Sequence, residues 1–166
     1  MTINRTLNVA VTFNCTHDAK AGSYGGTATY AQTSCDPSDM GNLVDDKGNI
    51  KLDNAKRYDP TVYNQAVDIV LTLATPANVS PDGTTTPVRW ALANGGGVTI
   101  QAPRGGSASE IAVTVAPGNP NVLTLVDKDD DSQEYQYKPA VELTAVNNYY
   151  ISLDPKIVNR PTNTNK

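Results

Sequence analysis

The chain has 166 residues, 39% hydrophobic and 18% charged, with a formal net charge of −4. A length of this order lets one core bury roughly 70% of the extended-chain surface without help from a metal or a disulfide. The acidic balance and the scatter of the thirteen Lys and Arg argue against a nucleic-acid partner, which needs clustered cations. No window approaches the roughly 20 consecutive apolar residues that span a bilayer.

Twelve glycines and eleven prolines supply many turn breakers, and this balance favours an all-β chain over long helices. The start, Met1 to Thr6, lacks the basic-then-apolar layout of a secretory signal. A cytoplasmic protein is therefore expected, with an extracellular one as the alternative if the chain begins at a mature N-terminus.

Leu7, Val9, Val11 and Phe13 alternate with polar or small residues, which predicts a half-buried first strand. From Asn14 to Pro60 the period fades into Gly, Ser, Thr, Asp and Asn, with short strands expected at Thr27–Gln32 and Asn49–Leu52 only. Such a stretch reads as a long irregular insertion near residues 14–60. Cys15 and Cys35, the two cysteines, lie in it and could form one disulfide. So do Tyr24 and Tyr30, with Tyr58 and Tyr63 toward its far end, and these four are candidate surface contacts, because an exposed ring can anchor a protein or stack on a sugar. The alternative is that the rings pin the insertion to the core.

Val67, Ile69, Leu71 and Leu73 share one parity and predict a central strand. Ser80-Pro81-Asp82-Gly83 is a turn, since Pro presets φ and Gly accepts positive φ. Val88, Trp90 and Leu92 then point inward, and the lone tryptophan is expected in the middle of the core. Gly95-Gly96-Gly97 lacks the strand-to-helix context and the Lys-Ser/Thr ending of a phosphate loop, and reads as a plain turn. Val98–Gln101 and Ile111–Val115 follow as strands, and Pro117-Gly118-Asn119-Pro120 as a turn.

The last third reads as strands at Val122–Val126, Tyr135–Leu143 and Tyr149–Leu153. Between the first two, Asp127, Asp129 and Asp131 stand at alternating positions and open like a calcium loop. Ser132 then takes the place of the required Gly, and Lys138 that of the closing Glu. A solvated hairpin turn is the preferred reading, with calcium as the alternative cofactor. Asp36 with Asp39, or Asp45 with Asp46, would make a second weak acidic pocket. His17, the sole histidine, sits beside Asp18 with no nucleophile-elbow motif nearby, so a hydrolase is a remote alternative and no catalytic residue is assigned.

The run Leu125-Val126-Asp127-Lys128-Asp129-Asp130-Asp131, then Tyr135-Gln136-Tyr137 and Ser152-Leu153-Asp154-Pro155-Lys156-Ile157-Val158-Asn159-Arg160-Pro161, resembles the C-terminal end of the DP-EP family, small bacterial proteins of uncharacterised role. The opening Ile3-Asn4-Arg5-Thr6-Leu7-Asn8-Val9 is similar to that family's first strand. The resemblance implies an immunoglobulin-like or cupredoxin-like β-sandwich and carries over no catalytic residue.

The expected architecture is thus an antiparallel two-sheet sandwich of about eight strands, one domain over 1–161 with a polar tail at 162–166. A closed barrel is the competing geometry. The expected function is a non-enzymatic structural or protein-interaction module whose open sheet edges pair with a protein partner, self-association being one version of this. A calcium- or carbohydrate-binding module is the alternative.

Overall fold

The computed structural model describes residues 1–91, 97–116, 118–147 and 149–160. Among these the regular elements are β-strands and two single-turn 3-10 segments, with no α-helix. In chain order the strands are β1 (Ile3–Asp18), β2 (Ser23–Asp36), β3 (Ile50–Lys51), β4 (Tyr63–Leu73) and β5 (Ala77–Ser80). Next come β6 (Thr84–Thr86), β7 (Val88–Trp90), β8 (Val98–Gln101), β9 (Ile111–Val115) and β10 (Val122–Asp127). The last are β11 (Glu134–Leu143), β12 (Tyr150–Ser152) and β13 (Lys156–Val158). The expected inward Leu92, most of the Gly95–Gly97 turn, Pro117 and the polar tail lie outside the described residues.

The strands form two mixed sheets, neither closed on itself. The seven-stranded sheet runs β6-β5-β1-β4-β10-β9, with β2 also paired to β1. The six-stranded sheet is centred on β11, which pairs with β7 and β8 on one side and β12 and β13 on the other, and β13 carries β3.

Pairing is not antiparallel throughout, as the sequence suggested. β1 takes β2 antiparallel along one edge, and β4 and then β5 parallel along the other. The reason lies in the connections. β4 and β5 run in the same direction along β1, with a break at Thr75-Pro76 where the missing N–H of Pro interrupts a ladder. The short β3 and β13 form a third parallel pair.

The irregular insertion expected at residues 14–60 is also corrected. β1 continues to Asp18 and returns as β2, so the first part of that stretch is one long hairpin, with a bulge at Asn8/Val9 opposite. The period was hidden because the inward positions of β2 include the small Gly26 and Ala28 and the polar Gln32 beside Tyr30. The loop that follows buries Met40, Leu43, Val44, Ile50 and Leu52, so it is core as well as cover.

One cluster of buried side chains draws on both sheets. Leu7, Val9, Val11, Phe13 and Cys15 enter it from β1, and Tyr135, Tyr137, Val141 and Leu143 from β11. Each fully buried Val, Leu or Phe contributes roughly 1.5–3 kcal/mol. Trp90 is 1% exposed, as expected, and its indole N–H donates to the Leu71 carbonyl at 3.2 Å, which ties β7 of one sheet to β4 of the other. Tyr137 is buried and donates its hydroxyl to the Gly48 carbonyl at 2.7 Å. Gly48 has φ +86°, and a Cβ there would lie 2.7 Å from the Tyr30 ring, so the site demands glycine twice over.

Candidate functional site

The alternation that buries Leu7 and Val9 also buries Arg5, which shares their parity on β1. On β10 the parity of Leu123 and Leu125 likewise buries Asp127. The turn after β10 folds inward, with Asp129 at φ +53°, and brings the Asp129 carboxylate to the Arg5 guanidinium at 2.8 Å. The Arg160 backbone N–H donates to the other Asp129 oxygen at 2.6 Å, and the Arg160 guanidinium stands 3.5 Å from the carboxylate. Both guanidinium groups lie over the Tyr58 ring, at 4.6 and 5.4 Å from its centroid.

This corrects the solvated turn expected for Asp127–Asp131: Asp127 and Asp129 are fully buried. It also leaves the calcium candidates dispersed. Asp127 accepts the Asp129 N–H at 2.8 Å. Asp131 accepts from the Gln133 N–H, the Asn159 amide and the Tyr135 hydroxyl. Two arginines thus supply the positive charge that a cation would have supplied, and among the described residues no group of three or more His, Cys, Asp or Glu is disposed to hold a metal.

Burial raises the pKa of Asp127 to about 7, the nearby Asp129 and Glu110 charges adding to it and the Asp129 N–H opposing. Glu110 is also raised, first by burial and then by Asp130 and Asp131, against the pull of the Asp130 N–H and Lys128. Arg160 is lowered by burial and by Arg5, with Asp129 opposing. Several polar atoms here have no hydrogen-bond partner among the described residues, namely Asp127 Oδ2, Arg5 Nε and Nη1, and Asn159 Oδ1. The set reads as a buried electrostatic clamp joining β1, the β10–β11 turn and the C-terminal segment.

The remaining candidates separate. Cys15 and Cys35 are free, the first buried and the second half-buried. On the hairpin Cys35 faces Leu7 while Cys15 faces Gly26, eight positions further along β1. At about 3.3 Å per residue that is some 26 Å, far beyond the reach of a disulfide. Asp36 accepts the Tyr63 hydroxyl at 2.6 Å, and Asp45 is bound up in its own turn with Asn49 and Lys47.

Of the four tyrosines, Tyr30 is buried, Tyr58 carries the two arginines and Tyr63 is tethered to Asp36. Tyr24 stacks on His17 at 4.4 Å and meets Tyr149 edge-on at 5.2 Å. Tyr24, Tyr149, Tyr150, Ile151 and Ser152 line a shallow groove where β2 approaches β12. Beside it Tyr150 faces Glu142 across the ladder, and Glu142 binds Arg89 in two-point fashion at 2.7 and 3.1 Å. The His17 ring is hydrogen-bonded to Asp82 at 2.8 Å.

The sheet edges differ in how they are covered. The Tyr30 N–H at the outer edge of β2 donates to the Asp46 carbonyl at 3.0 Å, and the Tyr24 N–H to the Tyr149 hydroxyl at 2.6 Å. β3 and β6 are only two and three residues long, a common way of blunting an edge. β9 has neither protection. The Glu110 carbonyl accepts from Lys128 and the Ala116 N–H donates to Val122, which fixes the even-numbered residues toward β10. Ile111, Val113 and Val115 therefore turn their N–H and C=O groups outward, and among the described residues no hydrogen bond reaches them.

From Ile111 to Ala116 the chain carries no charge and no proline. Ala112, Val113 and Thr114 are exposed, Val113 to 37%. The sequence reading found this strand but not its position at an edge. The uncharged stretch from Ile111 to Ala116, with four β-branched residues among its six, is a segment prone to pair once the fold leaves it at an edge.

Among the described residues no helix is long and apolar enough to cross a membrane. No family model matches the chain, and no curated protein matches it. Among solved structures, the crystal structure of the inclusion body protein PixA from Burkholderia cenocepacia aligns with 96% of this chain and 97% of that chain, at 9% identity and a TM-score of 0.35. A likeness of that degree carries no function across.

Proposed function

We infer that the protein is a non-enzymatic structural module, a two-layer sandwich of the kind found in the DP-EP family, that acts by associating with further copies of itself. The observation that supports this is the bare, uncharged edge of β9, since an unpaired row of N–H and C=O groups is a template for another strand. The chemistry elsewhere points the same way. Among the described residues the buried carboxylates are engaged by arginines and backbone N–H groups, and His17 by Asp82 and Tyr24.

Size-exclusion chromatography with light scattering, over a concentration series from micromolar to near-millimolar, tests the reading. A mass that rises with concentration supports it, and a constant monomer mass refutes it.

A second reading, carbohydrate binding, is favoured by one observation, the tyrosine-lined groove with Arg89 and Glu142 beside it. Aromatic faces with a planar polar pair suit a sugar ring. Thermal unfolding against a glycan panel checks it, because a ligand selective for the folded state raises the midpoint. No shift at millimolar sugar removes it.

A further inference from the structure

We propose that β9 pairs antiparallel with β9 of a second copy about a two-fold axis through Val113, joining two seven-stranded sheets into one. This rests on the self-association reading and specifies its register.

The register follows from which groups are free. Ile111, Val113 and Val115 point their N–H and C=O groups away from β10, while Ala112 and Thr114 are already bonded to it. An antiparallel pairing must therefore set odd-numbered residues against odd-numbered ones, and only an axis through Val113 engages all three, since one through Ala112 would set Val115 against Ser109 in its 3-10 turn and one through Thr114 would set Ile111 against Pro117. Centred on Val113, the pairing sets Val113 against Val113 and Ile111 against Val115 twice, and all three are hydrogen-bonded pairs, giving about six bonds. Centred on Ile111, it would need an extended residue at Ser109, which lies in a 3-10 turn. Centred on Val115, it would set Val113 against Pro117, which has no N–H to donate.

The side chains fit the same register. Pairing a strand with its own copy sets like against like near the axis, which is repulsive for a charged strand and favourable for a β-branched one. Here Val113 meets Val113 on one face and Ala112 meets Thr114 on the other, with no charge between Ile111 and Ala116. An isologous contact of this kind closes at the dimer. The net charge of −4 on each copy opposes association at low salt, and added salt should strengthen it.

The test uses the full chain in a Cys35→Ser background, Cys15 being buried. Val113→Cys brings two thiols to opposed backbones about 5.5 Å apart, within disulfide range. Mild oxidation should then cross-link Val113→Cys much faster than Val62→Cys, a substitution at an exposed site away from β9. An equal mixture of Ala112→Cys and Thr114→Cys should cross-link faster than either alone. Val113→Lys, checked for folding by circular dichroism, should weaken association at least tenfold.

If the protein associates, yet Val113→Cys cross-links no faster than Val62→Cys and Val113→Lys changes nothing, this register is overturned and self-association through another surface stands. A strictly monomeric chain overturns both.

Discussion

Arg5 and Asp129 stand 124 positions apart in the chain and form a 2.8 Å ion pair with no solvent access to either side chain. The pair fastens the first strand to the turn after β10, and Arg160 adds the C-terminal segment. Burial makes the cluster asymmetric. Among the described residues Asp129 is the one carboxylate in ion-pair range of both guanidinium groups, so losing it removes the counter-charge of both, whereas losing Arg5 leaves Asp129 with Arg160.

Asp129→Asn should therefore destabilise the fold by about 3–5 kcal/mol, the usual cost of an uncompensated buried charge. Asparagine keeps the shape and tolerates the positive φ at this position, so the change isolates the charge. Arg5→Met should cost clearly less. Urea denaturation of the three proteins at neutral pH measures both, and equal losses would contradict the shared-carboxylate arrangement.

Asp127 predicts a pH dependence of the opposite sense to that of an ordinary carboxylate. Its folded-state pKa is raised to about 7, above the unfolded value near 4. Between those two values the folded state holds a proton that the unfolded state has released. Stability from this group is therefore complete below about pH 4 and is lost as pH rises toward about 7, with a slope of at most roughly 1.4 kcal/mol per pH unit. Asp127→Asn, which retains an oxygen for the Asp129 N–H, should remove that slope. The stability difference between wild type and variant, followed from pH 4.5 to 8, should shift toward the variant and level off above 7; a difference independent of pH would refute the assignment.

Gly48→Ala should be destabilising by more than an exposed glycine replacement, because the backbone sits at φ +86° and the new methyl group would meet the Tyr30 ring at 2.7 Å. About 1–3 kcal/mol is expected for such strain. Gly83→Ala, at φ +68° with open space around it, serves as the control that carries the backbone term alone. Equal losses in thermal or urea unfolding would show that Tyr30 yields freely.

The two thiols should react in two stages. Cys35, half-buried, should be labelled by a maleimide in the native protein, and Cys15, packed among Val79 and Phe13 in the core cluster, only on unfolding. Two equivalents labelled rapidly without denaturant would contradict the placement of Cys15.

Much of the strand content was legible because period two survives in the apolar residues of β1, β4, β10 and β11. The inward Trp90 followed from the same rule. What escaped was of two kinds. β2 was obscured because Gly26 and Ala28 occupy inward positions; at Gly26 a Cβ would lie 2.5 Å from the Phe13 ring, so smallness there reports close packing and not a loop. The buried charges were missed because Asp127 was placed in a solvated turn and the first strand's period was followed only from Leu7, which left Arg5 unread, although each shares the parity of buried neighbours, Leu125 and Leu7. Parity gave their direction, and only the fold could show that a partner waited there. The edge position of β9 depends on which strands lie beside it, and no local pattern encodes that.

β1 takes its second and third partners from strands that begin at Tyr63 and Ala77. During synthesis the hairpin of β1 and β2 emerges well before either, with its row of Leu7, Val9, Val11 and Phe13 unsheltered. Parallel neighbours so distant in the chain demand large loop closures before any reward, which places refolding in the millisecond-to-second range typical of non-local β-topologies. The nascent chain is thus most vulnerable to misassembly between the release of Asp36 and the arrival of Leu73, the interval a chaperone would have to guard.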